Sequence, residues 1–173
     1  AITLDNPPTW LQGGSTYNIN FSASDHNGIS SLNLEYSPDG ITYSSLTTLN
    51  SSPFSWSVPV VDIPVNARLR LTAVDPAGNS SVLATTAFGI DSTNPSVSLD
   101  NMAAIIRGGI NNNISLSSSD SASGIASANL YYSNDSGSSY SLITTFPANP
   151  TYSWSTPAVD LETARLRYIV TDN

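Results

Sequence analysis

Ala67-Arg68-Leu69-Arg70 returns unchanged as Ala164-Arg165-Leu166-Arg167, and the match extends far beyond four residues. Leu4-Asp5 returns as Leu99-Asp100, Gly13-Gly14 as Gly108-Gly109, and Asn18-Ile19 as Asn113-Ile114. Tyr36-Ser37 with Asp39, Gly40 and Tyr43 returns as Tyr132-Ser133 with Asp135, Gly137 and Tyr140. Ser55-Trp56-Ser57 with Pro59 returns as Ser153-Trp154-Ser155 with Pro157. The offset is about 95 residues, well beyond the roughly 20–50 residues of a solenoid unit, so each copy has the size of a domain. The stretch Gly89-Ile90-Asp91-Ser92-Thr93-Asn94-Pro95 falls between the copies and reads as their joint. The domains implied are 1–90 and 91–173.

Within each copy the hydrophobic period is two. Ile19, Phe21 and Ala23 alternate with polar neighbours, as do Leu32, Leu34 and Tyr36, and as do Ala67, Leu69, Leu71 and Ala73. Such alternation marks strands with one buried and one wet face, and no window of helical length shows a 3.6-residue period. Pro38-Asp39-Gly40 between two alternating runs is a hairpin turn, with Pro fixing one φ and Gly taking a positive one. Seven strands follow for the first copy, at about 1–5, 17–24, 30–37, 41–49, 53–58, 67–74 and 81–88, the count and spacing of an immunoglobulin-like or fibronectin III-like sandwich. The fold class is therefore all-β, two tandem β-sandwich domains. The second copy reaches Asp172-Asn173 where the first runs on through Pro76-Ala77-Gly78-Asn79 into its last strand, so the second domain lacks that strand. A sandwich without it exposes an unpaired edge. The missing strand is expected in a longer polypeptide of which residues 1–173 are a cut, with donation by another chain as the alternative.

Composition narrows the function class. Net charge is −8, with no lysine and five basic residues, all arginine, which opposes binding to a phosphate backbone. Cysteine is absent, which removes disulfides and thiolate metal sites and points toward a bacterial exported protein. No apolar run approaches the roughly 20 residues of a membrane span, and no signal peptide is recognisable. His26 is the single histidine, and Ser121 stands at its place in the second copy. A nucleophile–base pair needs a positioned His or Lys, and paired glycosidase carboxylates need a cleft rather than turns, so the chain reads as non-catalytic.

Asp75-Pro76-Ala77-Gly78-Asn79 and Asp91-Ser92-Thr93-Asn94-Pro95 resemble the tandem Ig-like repeats of large bacterial surface proteins. There Asp-x-Ala-Gly-Asn marks the last hairpin and Asp-x-Thr-x-Pro the entry to the next domain. Tyr36 to Gly40 and Ser55 to Pro59 are similar to fibronectin III-like versions of those repeats. The resemblance covers both copies. It implies an extracellular spacer or stalk segment whose partners are neighbouring repeats. The alternatives are an adhesive module for a glycan or surface protein, or an accessory domain of a secreted hydrolase. Fold analogy alone does not choose among them.

Strand order in an Ig-type sandwich carries Asp91 toward the end of domain two that holds Asp120 and Asp172. Asp25 and Asp75 are the equivalents in domain one. Three carboxylates with nearby Asn and backbone carbonyls form a candidate Ca²⁺ site, and the resemblance to calcium-stiffened repeats agrees. The competing reading makes each Asp an Asx-turn residue bonded to its own backbone. Arg68/Arg70 and Arg165/Arg167 lie on the outer face of one strand, a setting for cross-strand pairs or for an anionic glycan. Trp56 and Trp154 share an inward phase and read as core. Trp10 falls in a loop. Tyr131, facing outward where the first copy has Glu35, is the candidate ligand-binding aromatic.

Overall fold

The computed structural model describes residues 1–100, 103–146 and 151–173, and all regular structure among them is β. The chain divides into two compact units, Ala1–Ser92 and Thr93–Asn173.

The first unit contains β1 (Ile2–Leu4), β2 (Trp10–Gln12), β3 (Thr16–Ile19), β4 (Phe21–Ala23), β5 (Ser31–Ser37), β6 (Ser44–Thr48), β7 (Phe54–Ser57), β8 (Ile63–Val74), β9 (Ser80–Ala84) and β10 (Phe88–Asp91). One layer is made of the pairs β1–β4 and β3–β7, β3 and β4 being one run of chain broken at Asn20. The other has the order β2-β10-β8-β5-β6, with β9 also on β8. Alternation decides which side chains meet between the layers. Leu34 from β5, and Ala67, Leu69 and Leu71 from β8, lose all contact with solvent, while Arg68 and Arg70 point the other way. Trp56 from β7 lies across them, 5.1 Å from the Tyr36 ring. Each such leucine removed from water stabilises the fold by about 1.5–3 kcal/mol before the entropy of ordering is subtracted.

Two short strands were not anticipated from the alternation. Trp10, expected in a loop, lies in β2. Residues 88–91, expected as the end of a last strand and the start of a linker, form β10. This strand pairs parallel with β2 and antiparallel with β8, Phe88 opposite Ala67 and Ile90 opposite Ile63. Phe88 and Ile90 are fully buried, and Phe88 meets Trp56 edge-on at 6.3 Å between ring centroids. A run of three or four residues is too short to show a period of two, which is why the sequence pattern conceals both strands. The non-strand segment before the second unit's first strand thereby shrinks to Ser92–Pro95. Asp62 Oδ1 holds its start by accepting from the Ser92 amide and hydroxyl, both at 2.8 Å.

The second unit contains β11 (Ser96–Asp100), β12 (Asn111–Ser119), β13 (Ile125–Ser133), β14 (Ser141–Phe146), β15 (Thr151–Ser155) and β16 (Arg165–Asp172). Its layers are β11-β12-β15 and β14-β13-β16. Ile114, Leu116, Leu130 and Trp154 form the buried centre, and Tyr132 stands 5.2 Å from Trp154 as Tyr36 stands from Trp56. Among the described residues no strand corresponds to β2, β9 or β10, so β16 is an edge. Its inward residues Leu166, Tyr168 and Val170 are only half-buried, whereas Leu69 and Leu71, at the first two of these places in β8, are sealed.

The second glycine of the repeated Gly-Gly pair has one cause in both units. Gly14 and Gly109 take φ of +77° and +73°, a left-handed turn that other residues resist. Gly89 is required for a different reason: a Cβ there would lie 2.3 Å from the Trp10 ring. Gly89→Ala is therefore expected to destabilise the first unit by about 1–3 kcal/mol through overpacking. In a Trp10→Ala background the same change is expected to cost under about 0.5 kcal/mol, the non-additivity that marks direct contact. Urea denaturation of the four proteins measures it, and an equal cost in both backgrounds would refute the contact.

Candidate functional site

The aspartates divide by what their oxygens already hold. Asp39 sits in the β5–β6 turn, where Oδ1 accepts from the Thr42 amide at 2.7 Å, the Ile41 amide at 2.8 Å and the Ser37 hydroxyl at 2.8 Å. These donors, Thr42 first, hold its carboxyl well below the usual carboxylate range. Asp135 repeats the device in the β13–β14 turn. It accepts from the Ser139 hydroxyl at 2.6 Å, the Ser139 amide at 2.9 Å and the buried Ser133 hydroxyl at 2.7 Å, and it too is strongly lowered, chiefly by Ser139. Both are structural anions whose ligands are the protein's own N–H and O–H groups.

Asp25 and Asp75, the candidates in the first unit, line one small cavity but serve their own loops. Asp25 Oδ2 accepts from the Asn27 amide at 3.0 Å. Asp75 uses both oxygens on Asn79, Oδ2 taking the side-chain amide at 2.8 Å and Oδ1 the backbone amide at 2.9 Å, which lowers its carboxyl. No third acid joins them among the described residues.

Asp120 and Asp172 are brought together in the second unit. Ser96 opposite Ser119 starts β11 beside the loop that opens with Asp120, and Ile125 opposite Asp172 ends β16 beside the close of that loop. Each residue offers a carboxylate oxygen within 4.8 Å of the other's. Asp120 Oδ1 caps the loop by accepting from the Gly124 amide at 2.9 Å and the Ala122 amide at 3.0 Å. Its Oδ2 is buried without a hydrogen-bond partner. Asp91, the third candidate, ends β10 in the first unit; its carbonyl accepts from the Gly13 amide at 2.6 Å and its side chain is buried. It is a strand residue, not the linker residue the sequence suggests.

The second candidate feature is the outer face of β13 and β16. In the first unit Arg70 clamps Glu35 through Nε at 2.7 Å and Nη2 at 2.9 Å, with its guanidinium 3.9 Å above the Tyr43 ring. That bidentate hydrogen bond is the main reason the Glu35 carboxyl is lowered and the Arg70 guanidinium raised. In the second unit Tyr131 replaces Glu35 opposite Arg167. Arg167 lies 4.0 Å from the Tyr140 ring and 5.2 Å from the Tyr131 ring, with no carboxylate partner among the described residues. The sequence singles out Tyr131, with Tyr132 and Tyr140 flanking the same turn, but does not bring Tyr140 to Arg167. The contact of Arg70 with Tyr43 in the first unit, carried through the repeat to Arg167 and Tyr140, is the signal that finds it. His26 lies exposed in the loop between Asp25 and Gly28.

No protein-family model matches the chain, and no curated protein matches it. Among solved structures it is similar to the fibronectin(III)-like modules of CbhA from Clostridium thermocellum, with a TM-score of 0.54 and 18% identity over 100% of this chain and 86% of that one. A weaker likeness, TM-score 0.40 at 14% identity, spans 98% of this chain and 53% of a 1.5-MDa bacterial ice-binding adhesin chain. The chain thus has the fibronectin III-like β-sandwich fold.

The turn carboxylates fix a pH dependence. Asp39 and Asp135 have folded pKa values below their unfolded value of about 3.9, so their stabilisation is complete above that value and is lost as pH falls through the folded one. Thermal midpoints are expected to hold from neutral pH down to about pH 5 and to fall below about pH 4. Asp39→Asn with Asp135→Asn is expected to lower the midpoint at neutral pH and to shrink that acid-side fall. An undiminished fall in the double variant would contradict the assignment.

Proposed function

We propose that the chain is a non-catalytic Ig-like repeat segment of a large extracellular bacterial protein, acting as a spacer or stalk. The observation that carries this reading is what the two copies keep. Tyr36–Trp56 and Tyr132–Trp154 repeat one core packing, at 5.1 and 5.2 Å with interplanar angles of 50° and 54°. The Asp39 and Asp135 turns repeat one hairpin device. Glu35/Tyr131 and His26/Ser121 show surface positions left to drift. Preserved scaffold with unpreserved faces suits a part that holds other parts at a distance. The acidic surface keeps such repeats soluble, and the Pro95-containing joint restricts the backbone there.

A second reading, a module that binds an anionic glycan or the surface of another protein, is favoured by Arg167 between Tyr131 and Tyr140. A cation without a carboxylate partner among the described residues, flanked by two rings, suits a carboxylated or sulfated sugar. Accessory attachment to a secreted hydrolase has no residue-level support of its own. Under the spacer reading a glycan array probed with this chain is expected to show no saturable binding, and Tyr131→Ala to change nothing. Binding that is lost in Tyr131→Ala and Arg167→Ala would replace the spacer reading with the second.

For calcium, the donor set fits in chemistry: hard oxygens, an orphaned Asp120 Oδ2 and the neighbouring Asp172 carboxylate. We propose Ca²⁺ on Asp120 and Asp172. Asp91 is the third carboxylate that strand order nominates, five residues before Ser96. The ion's part would be to neutralise adjacent carboxylates and stiffen the loop between β12 and β13. A chelator is expected to lower the thermal midpoint and added Ca²⁺ to restore it in proportion to concentration. Asp120→Asn, which keeps the Oδ1 acceptor of the loop, is expected to remove the Ca²⁺ response. A midpoint indifferent to chelator removes the ion from the account.

A further inference from the structure

The second unit carries an open cavity of about 490 Å³ lined by Ile106, Tyr132, Trp154, Leu161, Ala164 and Leu166. The repeat identifies five of these residues. Ile106 stands where the first unit has Leu11, Tyr132 where it has Tyr36, Trp154 where it has Trp56, Ala164 where it has Ala67, and Leu161 where it has Ile63. In the first unit those residues enclose β10. Ala67 is opposite Phe88, Ile63 and Leu11 are opposite Ile90, and Trp56 takes the edge of Phe88. The cavity is the socket of a strand.

Two further observations agree. β8 begins at Ile63, along the part that β10 pairs, but β16 begins only at Arg165, so the backbone of residues 161–164 lies outside any strand. Trp10-Leu11-Gln12 is a strand beside β10, whereas the matching Ile105-Ile106-Arg107 is not, and Ile105 is 90% exposed. Both missing strands are the ones that β10 would template from its two edges. The edge strand β16 beside a cavity whose lining joins Ile106, Trp154, Leu161 and Leu166 to Glu162 and Arg165 is the arrangement used in strand addition.

We propose that this face of the second unit binds an extended peptide strand from outside residues 1–173. The strand lies antiparallel to residues 161–166 and parallel to 105–107. Its two inward residues, two positions apart, are a large aromatic and a branched aliphatic, the chemistry of Phe88 and Ile90. The aromatic fills the space against Trp154, and the aliphatic lies between Ile106 and Leu161. A second copy's own β10 is not the occupant, because Phe88 and Ile90 are fully buried where they are, and lending them would open the donor's core. The proposal is independent of the spacer reading.

The probe is a synthetic peptide with the sequence of Ser80 to Ser92, added to the isotope-labelled 173-residue chain and followed by amide NMR and hydrogen exchange. Saturable shifts confined to about residues 103–107 and 160–171 are expected, with exchange at 161–167 slowed about tenfold or more at saturation. A peptide carrying Phe88→Asp and Ile90→Asp is expected to do nothing. Three results would overturn the proposal: no saturable change, equal binding by the Asp peptide, or changes centred on β8 and β2, which would mean exchange with the first unit's β10. Dimerisation of the chain alone with loss of native β10 signals would likewise transfer the socket to a second copy. Since only the peptide is altered, misfolding of the protein cannot mimic any of these outcomes.

Discussion

Phe88 and Ile90 enter the first unit's core from a strand of four residues that is hydrogen-bonded along both edges, and much of that unit depends on them. Between β2 and β8, β10 satisfies backbone groups on each side while its alternate residues reach inward to Trp56 and Leu11. Burial of the two side chains contributes about 3–6 kcal/mol, a large share of the total stability of a small domain. The paired edges let Trp10 lie flat over Gly89 and let β8 run the full twelve residues from Ile63 to Val74. The second unit shows the same sandwich without that insertion. Its hydrogen-bonded layers form, its Tyr–Trp pair packs, and one flank of its core stays open.

The aspartates explain how a chain so acidic is held together with so few cations. Asp39 and Asp135 gather backbone and hydroxyl donors into tight turns, Asp75 ties its own hairpin through Asn79, and Asp120 closes the loop before β13. Each negative charge is met by dipoles of the local chain rather than by a basic residue. This suits hairpins at the ends of strands, where the loop cannot borrow packing from the core. Asp120 differs because one of its oxygens is left over in a buried position next to Asp172.

On the wet faces the two units diverge by single substitutions with large chemical consequences. Glu35 makes Arg70 self-sufficient, whereas Tyr131 leaves Arg167 with rings for neighbours. The scaffold beneath is unaffected, since alternation isolates the outer face from the core.

The amino-acid pattern determined the repeat, the all-β class, the inward phase of Trp56 and Trp154 and the hairpin at Asp39. All of these follow from local chemistry: a period of two, Pro and Gly at turns, and self-similarity along the chain. It also nominated Asp120 with Asp172 and Tyr131, because strand order alone places them. Tertiary structure alone decided that Gly89-Ile90-Asp91 is a buried strand and not a joint, that Trp10 covers it, and that Tyr140 accompanies Tyr131. Short strands carry no period of their own. They become strands when both edges find partners far away in sequence, and that pairing is a property of the folded unit, not of the residues in a row.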